Sequence, residues 1–355
     1  MKLEDLDRPA DGPLVELVEG FLDDADVARD RDLIRGVVYS TLDLAHGRAG
    51  RLDLKIARAA LAEMTEAFDM FAPYREVRKV TIFGSARTAP SDAHYALARD
   101  LARRLAKAGW MVVTGAGPGI MAAGNEGAGA EMAIGVNIRL PNEAEPNQWI
   151  AESRNLVEMK YFFTRKLMLV KESSGFLLLP GGFGTLDECF ELLTLLQTGK
   201  AEPAPIVLVE TENELYWSGW EDFVNAQVYA RGFADAIEAA LYRITDDPDT
   251  AVREILDFHR NYHSRRFVGK SMVMRLRHAP SDEELKELSR TFSDICSERG
   301  IWRTEPLAAE RSSHDHLELE RVALEFNLTH HGRLRQLIDR LNELAPPSVE
   351  GQVGV

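Results

Sequence analysis

Cysteine is scarce in this chain. Its two residues, Cys189 and Cys296, are too few and too far apart for a disulfide framework, and they lack the spacing of a metal-binding cluster. Positive charge is also in deficit, with 42 Lys and Arg against 57 Asp and Glu and a formal net charge of −15. Such a surface repels a polyanion unless a local basic patch overrides the average, so nucleic acid is not an expected partner, although a single nucleotide remains open. No apolar run approaches the roughly 20 residues a membrane span requires, so no membrane partner is expected either. The start, Met1 to Asp7, has no basic segment followed by an apolar stretch, and with so little cysteine the expected compartment is the reducing cytoplasm. Internal repeats and low-complexity segments are absent as well.

What remains is ordinary globular composition, 45% hydrophobic and 28% charged over 355 residues, enough for one large domain and a smaller one. Residues 1–75 carry apolar positions at three-to-four spacing, Leu14, Leu17, Val18, Phe21 and then Leu33, Val37, Val38, Leu42, which predicts a helical extension. From Lys79 short β-rich runs ending in glycine or proline alternate with helical stretches. The runs begin at Val80, Trp110, Ala133, Phe176 and Ile206, and the last helix is predicted from Pro248 to His263. Unbroken apolar strands alternating with helices predict an α/β domain, a doubly wound Rossmann-like parallel sheet, over residues 76–264. Residues 265–345 change to a β-α-β-β-α order, with Ser281 capping a helix, and predict a small α+β domain. Residues 346–355 read as a tail.

The most informative stretch is Pro180-Gly181-Gly182-Phe183-Gly184-Thr185-Leu186-Asp187-Glu188. It follows an apolar run and leads into a helix, so it lies at the carboxyl end of a strand, where open α/β sheets place ligands. Glycines let the backbone approach an anion, and N–H groups at a helix start, with the Thr185 hydroxyl, suit phosphate oxygens. A tight strand-to-helix turn without a ligand is the plainer alternative. Three glycines and a threonine within five positions weigh against it.

A second cluster, Thr114 to Met121, resembles a dinucleotide fingerprint, but Ile120 stands where the last glycine of G-x-G-x-x-G belongs, and Arg139 and Leu140 follow the next strand where an acidic ribose ligand is needed. Nicotinamide chemistry is therefore disfavoured, and no cofactor is expected. The turn Phe83 to Arg87 closes the first strand, and Ser85 and Arg87 either reach a ligand or form a solvated turn. Arg165-Lys166 sits among Phe162, Phe163, Leu167 and Met168, which predicts a largely buried helix with an arginine aimed into a polar pocket.

Together these residues resemble the LOG family, the cytokinin-activating phosphoribohydrolases and their bacterial nucleotide-nucleosidase relatives, often mislabelled lysine decarboxylases. The signature P-G-G-x-G-T-x-x-E is complete from Pro180 to Glu188, and the Arg-Lys pair, the Gly115 loop and the Gly84-Ser85 turn follow in the family's order across roughly residues 79–260. Met159, six residues before Arg165, departs from the plant-type spacing. The resemblance implies that Arg165 and Glu188 are catalytic and that Gly181, Gly182, Gly184 and Thr185 hold a 5′-phosphate. It further implies that Ser85, Gly115, Gly117 and Lys166 border the substrate, an AMP-like nucleotide or a cytokinin riboside monophosphate. A homodimer or higher homo-oligomer is implied in the same way. The residue chemistry agrees, because breaking a ribosyl C–N bond builds positive charge that a nearby carboxylate stabilises.

The resemblance thus implies a hydrolase of the N-glycosidase type that needs no metal. A non-catalytic nucleotide sensor or carrier is the rival, disfavoured because a pure binder needs no carboxylate beside the ribose. A decarboxylase is discounted, since no lysine has a convincing pyridoxal-phosphate setting. Cys189 is read as a packed thiol without a histidine beside it in sequence. His314, His316, His330 and His331 are read as surface residues, without the spacing of a metal site.

Overall fold

The computed structural model describes residues 13–139 and 145–346. Apart from Pro346, the stretch read as a tail lies outside the described residues. The chain divides into two compact units, residues 1–62 and 63–355. In the first, α1 (Pro13–Asp24) and α2 (Arg31–His46) bury Val18, Leu22 and Tyr39 together, while Glu19 accepts hydrogen bonds from Arg31 and Arg35. Helix α3 (Arg51–Phe71) runs from the first unit into the second. No helix among the described residues is long and apolar enough to cross a membrane.

The second unit is built on seven parallel strands, β1 (Lys79–Phe83), β2 (Met111–Thr114), β3 (Ala133–Ile138), β4 (Leu156–Met159), β5 (Gly175–Leu178), β6 (Ile206–Val209) and β7 (Tyr242–Thr245). They lie in the order β4-β3-β2-β1-β5-β6-β7. The inner strands are buried on both faces because their side chains alternate between two cores. Met111, Val113, Phe176, Leu178, Ile206 and Leu208 face one core with the end of α3, α6 (Phe162–Lys171), α7 (Phe183–Gln197) and α8 (Tyr216–Val224). Val80, Ile82, Val112, Leu177 and Val207 face the other with α4 (Ala93–Lys107), α5 (Ile120–Ala128) and α9 (Pro248–Asp257). This is the expected doubly wound α/β sheet. Its order runs outward in opposite directions from β1 and β5, which makes the crevice beyond their carboxyl ends the topological switch point.

A four-stranded antiparallel sheet follows, ordered β10-β11-β9-β8, from β8 (Tyr262–Val268), β9 (Ser271–Leu276), β10 (Cys296–Arg303) and β11 (Glu320–Phe326). One face carries α10 (Asp282–Thr291) and α12 (His331–Glu343), burying Met272, Met274, Leu285, Leu288, Val322, Leu324, Leu337 and Ile338. Ser281 caps α10 in a reciprocal capping box with Glu284. Glu310 on α11 (Ala308–Ser313) forms a buried charge cluster with Arg275 and Arg321, and Asp315 is bonded to Arg275.

Strands β4, β7 and β8 are additional to the sequence reading, and one predicted helix is shorter than expected. The helix expected from Pro248 to His263 stops at Asp257, and β8 begins at Tyr262. Asn342 on α12 accepts hydrogen bonds from the Asn261 and Tyr262 N–H groups, each at 2.9 Å, and donates to the Phe258 carbonyl. These bonds satisfy the backbone polar groups that a continuing helix would have used.

Candidate active site at the switch point

The turns after β1 and β5 are joined at the switch point. Ser85 N–H donates to the Pro180 carbonyl at 3.2 Å, and the Ser85 carbonyl accepts from Ile120 N–H at 3.0 Å. Gly119, with φ of +67°, approaches so closely that a Cβ there would lie 2.3 Å from the Ser85 oxygen. The first turn of α5 is thereby pressed against the β1 turn. The Ser85 hydroxyl accepts from Arg87 N–H, which closes the turn locally.

The glycine loop after β5 is shaped by its helix. A Cβ at Gly181 would fall 2.1 Å from Thr185 Oγ1, so only glycine lets the buried threonine fold back under the loop. The Tyr216 hydroxyl donates to the Gly181 carbonyl at 2.7 Å and fixes the loop from α8. Gly182 is the N-cap of α7, a Cβ on it would meet open space, and Phe183 is 94% exposed. The loop, with the N–H groups of the first helical turn, therefore opens outward, as anion binding requires.

Arg165 on α6 donates from Nε to the Val136 carbonyl at 2.9 Å and from Nη2 to the Gly115 carbonyl at 3.0 Å. A Cβ on Gly115 would sit 1.9 Å from that Nη2. The second glycine cluster is thus built around a guanidinium rather than around a dinucleotide. A Cβ at Gly117 would lie 2.6 Å from Met121 Cε, so this glycine makes room for a methionine of α5. Asn147 braces the same loop by donating to the carbonyls of Ala116 and Gly117 and to Asn125 Oδ1. Met159 is fully buried in β4 within the core.

Glu188 lies one turn into α7, partly buried. Burial pushes its carboxyl up to about 7, against the opposing pull of Arg165 and Lys166. Lys166 is ion-paired with Asp187 at 2.6 Å and Glu191 at 2.9 Å and so ties α6 to α7. Glu63 on α3 accepts from the buried Thr164 hydroxyl at 2.6 Å and from Tyr161 N–H at 3.5 Å, which anchors the start of α6. Sequence reasoning passed over Glu63, Asn147 and Tyr216. A polar residue in an otherwise unpatterned loop, or a tyrosine opening a helix, carries no motif that betrays its partner.

Cys189 is fully buried, its thiol pushed up to about 12 by burial, as a packed thiol should be. The reading of all four histidines as surface residues is corrected at His331. It is 6% exposed, opening α12 against Phe326 and beneath Gly199, where a Cβ would meet its ring at 2.4 Å. Among the described residues no three His, Cys, Asp or Glu side chains are grouped to hold a metal ion.

Residues 117–255 match the family model described as possible lysine decarboxylase. Over 157 residues the chain is 27% identical to a probable cytokinin riboside 5′-monophosphate phosphoribohydrolase of Oryza sativa subsp. japonica, covering 43% of this chain and 61% of that protein. The chain thus spans less than two thirds of that relative. Among solved structures, the molybdenum cofactor binding protein of Rippkaea orientalis aligns at a TM-score of 0.36 and 18% identity, covering 50% of this chain and 94% of the other. The molybdenum cofactor carrier protein of Chlamydomonas reinhardtii aligns at 0.35 and 18%, covering 51% and 98%. The complete Pro180–Glu188 signature lies within the matched segment at the switch point of the sheet, and it is over this segment that the chain is similar to the LOG family.

Proposed function

We propose that the protein hydrolyses the N-glycosidic bond of a nucleoside 5′-monophosphate, releasing the free base and ribose 5-phosphate. The observation that carries this reading is the placement of Glu188 one turn behind an outward-facing glycine loop, with its carboxyl held near neutrality by burial. A 5′-phosphate on Gly181, Gly182, Gly184 and Thr185 would set the ribose over that carboxyl. As the C1′–N bond lengthens, positive charge grows on the sugar and the Glu188 carboxylate stabilises it. Water then adds across the bond. Its hydroxyl goes to C1′, one proton passes to Glu188, and a proton is returned to the departing base.

In this reading Arg165 orients the substrate beside the Gly115 loop that it already holds, and its charge limits the rise of the Glu188 pKa. Gly115, Gly117 and Ser85 line the sugar and base side. Lys166 acts by holding α7 in place through Asp187 and Glu191. The family resemblance supports a homodimer. So do the exposed apolar residues Phe162, Phe163 and Leu167 on α6 and Phe183 and Phe190 on α7.

The test is incubation with AMP and with adenosine, following free base and ribose 5-phosphate by chromatography. AMP should react with kcat/KM at least about a hundredfold higher, because the loop's charge-assisted hydrogen bonds orient only the phosphorylated substrate. Equal rates would refute the loop assignment, and AMP binding without base release would make the protein a nucleotide carrier.

A further inference from the structure

A second basic site lies in the antiparallel-sheet region. Strand β10 is an edge strand, and between Cys296, opposite Phe326, and Ile301, opposite Leu324, it takes five steps where its partner takes two. The four residues Ser297 to Gly300, which stand against Glu325 alone, bulge away from the sheet toward α10. Gly300 turns at φ of +72°, and a Cβ there would lie 2.7 Å from Ser289 Oγ. That hydroxyl accepts from Ile301 N–H at 2.8 Å and donates to the Leu285 carbonyl. The bulge is therefore strapped to the helix rather than loose.

Between the bulge and the carboxyl half of α10 opens a groove of about 700 Å³. Lys286 and Arg290, one turn apart, line its helical side, with Ser293 beyond them, while Ser297 and Arg299 line the strand side. The Arg299 guanidinium is pinned over the Trp302 ring, 3.6 Å from its centroid. Among the described residues none of these three cations has a carboxylate within ion-pair distance, and Glu298 is the one carboxylate lining the groove. The buried Ser297 Oγ lacks a hydrogen-bond partner. A chain of net charge −15 has carboxylates in surplus, so three unpaired cations facing one groove run against its average.

We infer that this groove binds a phosphorylated small molecule of up to nucleotide size, at a site separate from the glycine loop. The volume falls in the range of small-molecule sites, and a guanidinium fork, an ammonium and the unpartnered Ser297 hydroxyl are donors from which phosphate oxygens accept.

The experiment is calorimetric titration of the full chain with inorganic pyrophosphate, with citrate and a labelled single-stranded oligonucleotide in parallel. The variants are Lys286→Glu/Arg290→Glu and, independently, Ser293→Glu, all at exposed positions. Thermal melting checks that each remains folded. The inference expects pyrophosphate affinity to fall by at least about tenfold in both variants, while AMP binding at the glycine loop is unchanged. Unchanged pyrophosphate affinity and stoichiometry in both folded variants would overturn it. Citrate binding as tight as pyrophosphate would overturn the phosphate chemistry. Tighter, groove-dependent oligonucleotide binding would assign the groove to nucleic acid instead.

Discussion

Glu188 is the residue on which the proposed chemistry rests, and its titration makes that role testable in two ways. Glu188→Gln keeps shape and hydrogen bonding but removes the charge, so kcat should fall by about a hundredfold or more while AMP affinity largely survives. The same substitution has a signed effect on stability. The folded carboxyl is raised from an ordinary 4.5 to about 7, so the folded state favours the protonated form. The stability tied to that proton is fully present below the unfolded pKa and is lost as pH rises through the folded one. Melting temperatures of wild type and Glu188→Gln should therefore run parallel below about pH 4.5, and the variant should gain on wild type up to about pH 7. A constant difference across that range would show that Glu188 is not desolvated as described. The place of the glycine loop between a strand and a helix, with Glu188 on that helix, was readable in the sequence, because an apolar run, three glycines and a helical pattern follow one another there. The pairing of Lys166 with Asp187 and Glu191 was not readable, since an ion pair between two helices leaves no trace in the spacing of either.

Among the elements, the strands with continuous apolar runs announced themselves, and the sheet's centre follows the sequence closely. Its margins do not. Strands β4 and β7 are edges with mixed burial patterns, and β8, Tyr-His-Ser-Arg-Arg-Phe-Val, hides its alternation behind polar residues that find partners only in the folded chain. Arg265 bonds to the carbonyls of Gly199 and Ala201, and Arg266 to Ser313 and Asp315. On the same sheet α11 delivers Glu310, fully buried, between Arg275 and Arg321. Removing one partner of such a cluster leaves charge buried without compensation. Glu310→Ala should destabilise the protein by about 3 kcal/mol or more, measured by denaturant unfolding. A loss near zero would mean that water reaches the two guanidiniums.

For the molecule as a whole, the proposed dimer has a direct measurement. Phe163 on α6 is 55% exposed, so Phe163→Asp should be well tolerated by the monomer fold yet place a charge in an apolar contact. Sedimentation of wild type should give twice the chain mass, and the variant should shift toward the single-chain mass. A variant that sediments as wild type would place the interface elsewhere.

The Asn342 bonds also bear on how the chain is made. Its amide serves Asn261 and Tyr262, backbone groups that leave the ribosome some 80 residues earlier. At roughly 5–20 residues per second that is an interval of about 4–16 s during which the connector into β8 lacks the group that completes it. The parallel sheet can assemble on the nascent chain, but the junction to β8 closes only once α12 has emerged, so this seam stays open after the strands of the sheet are in place.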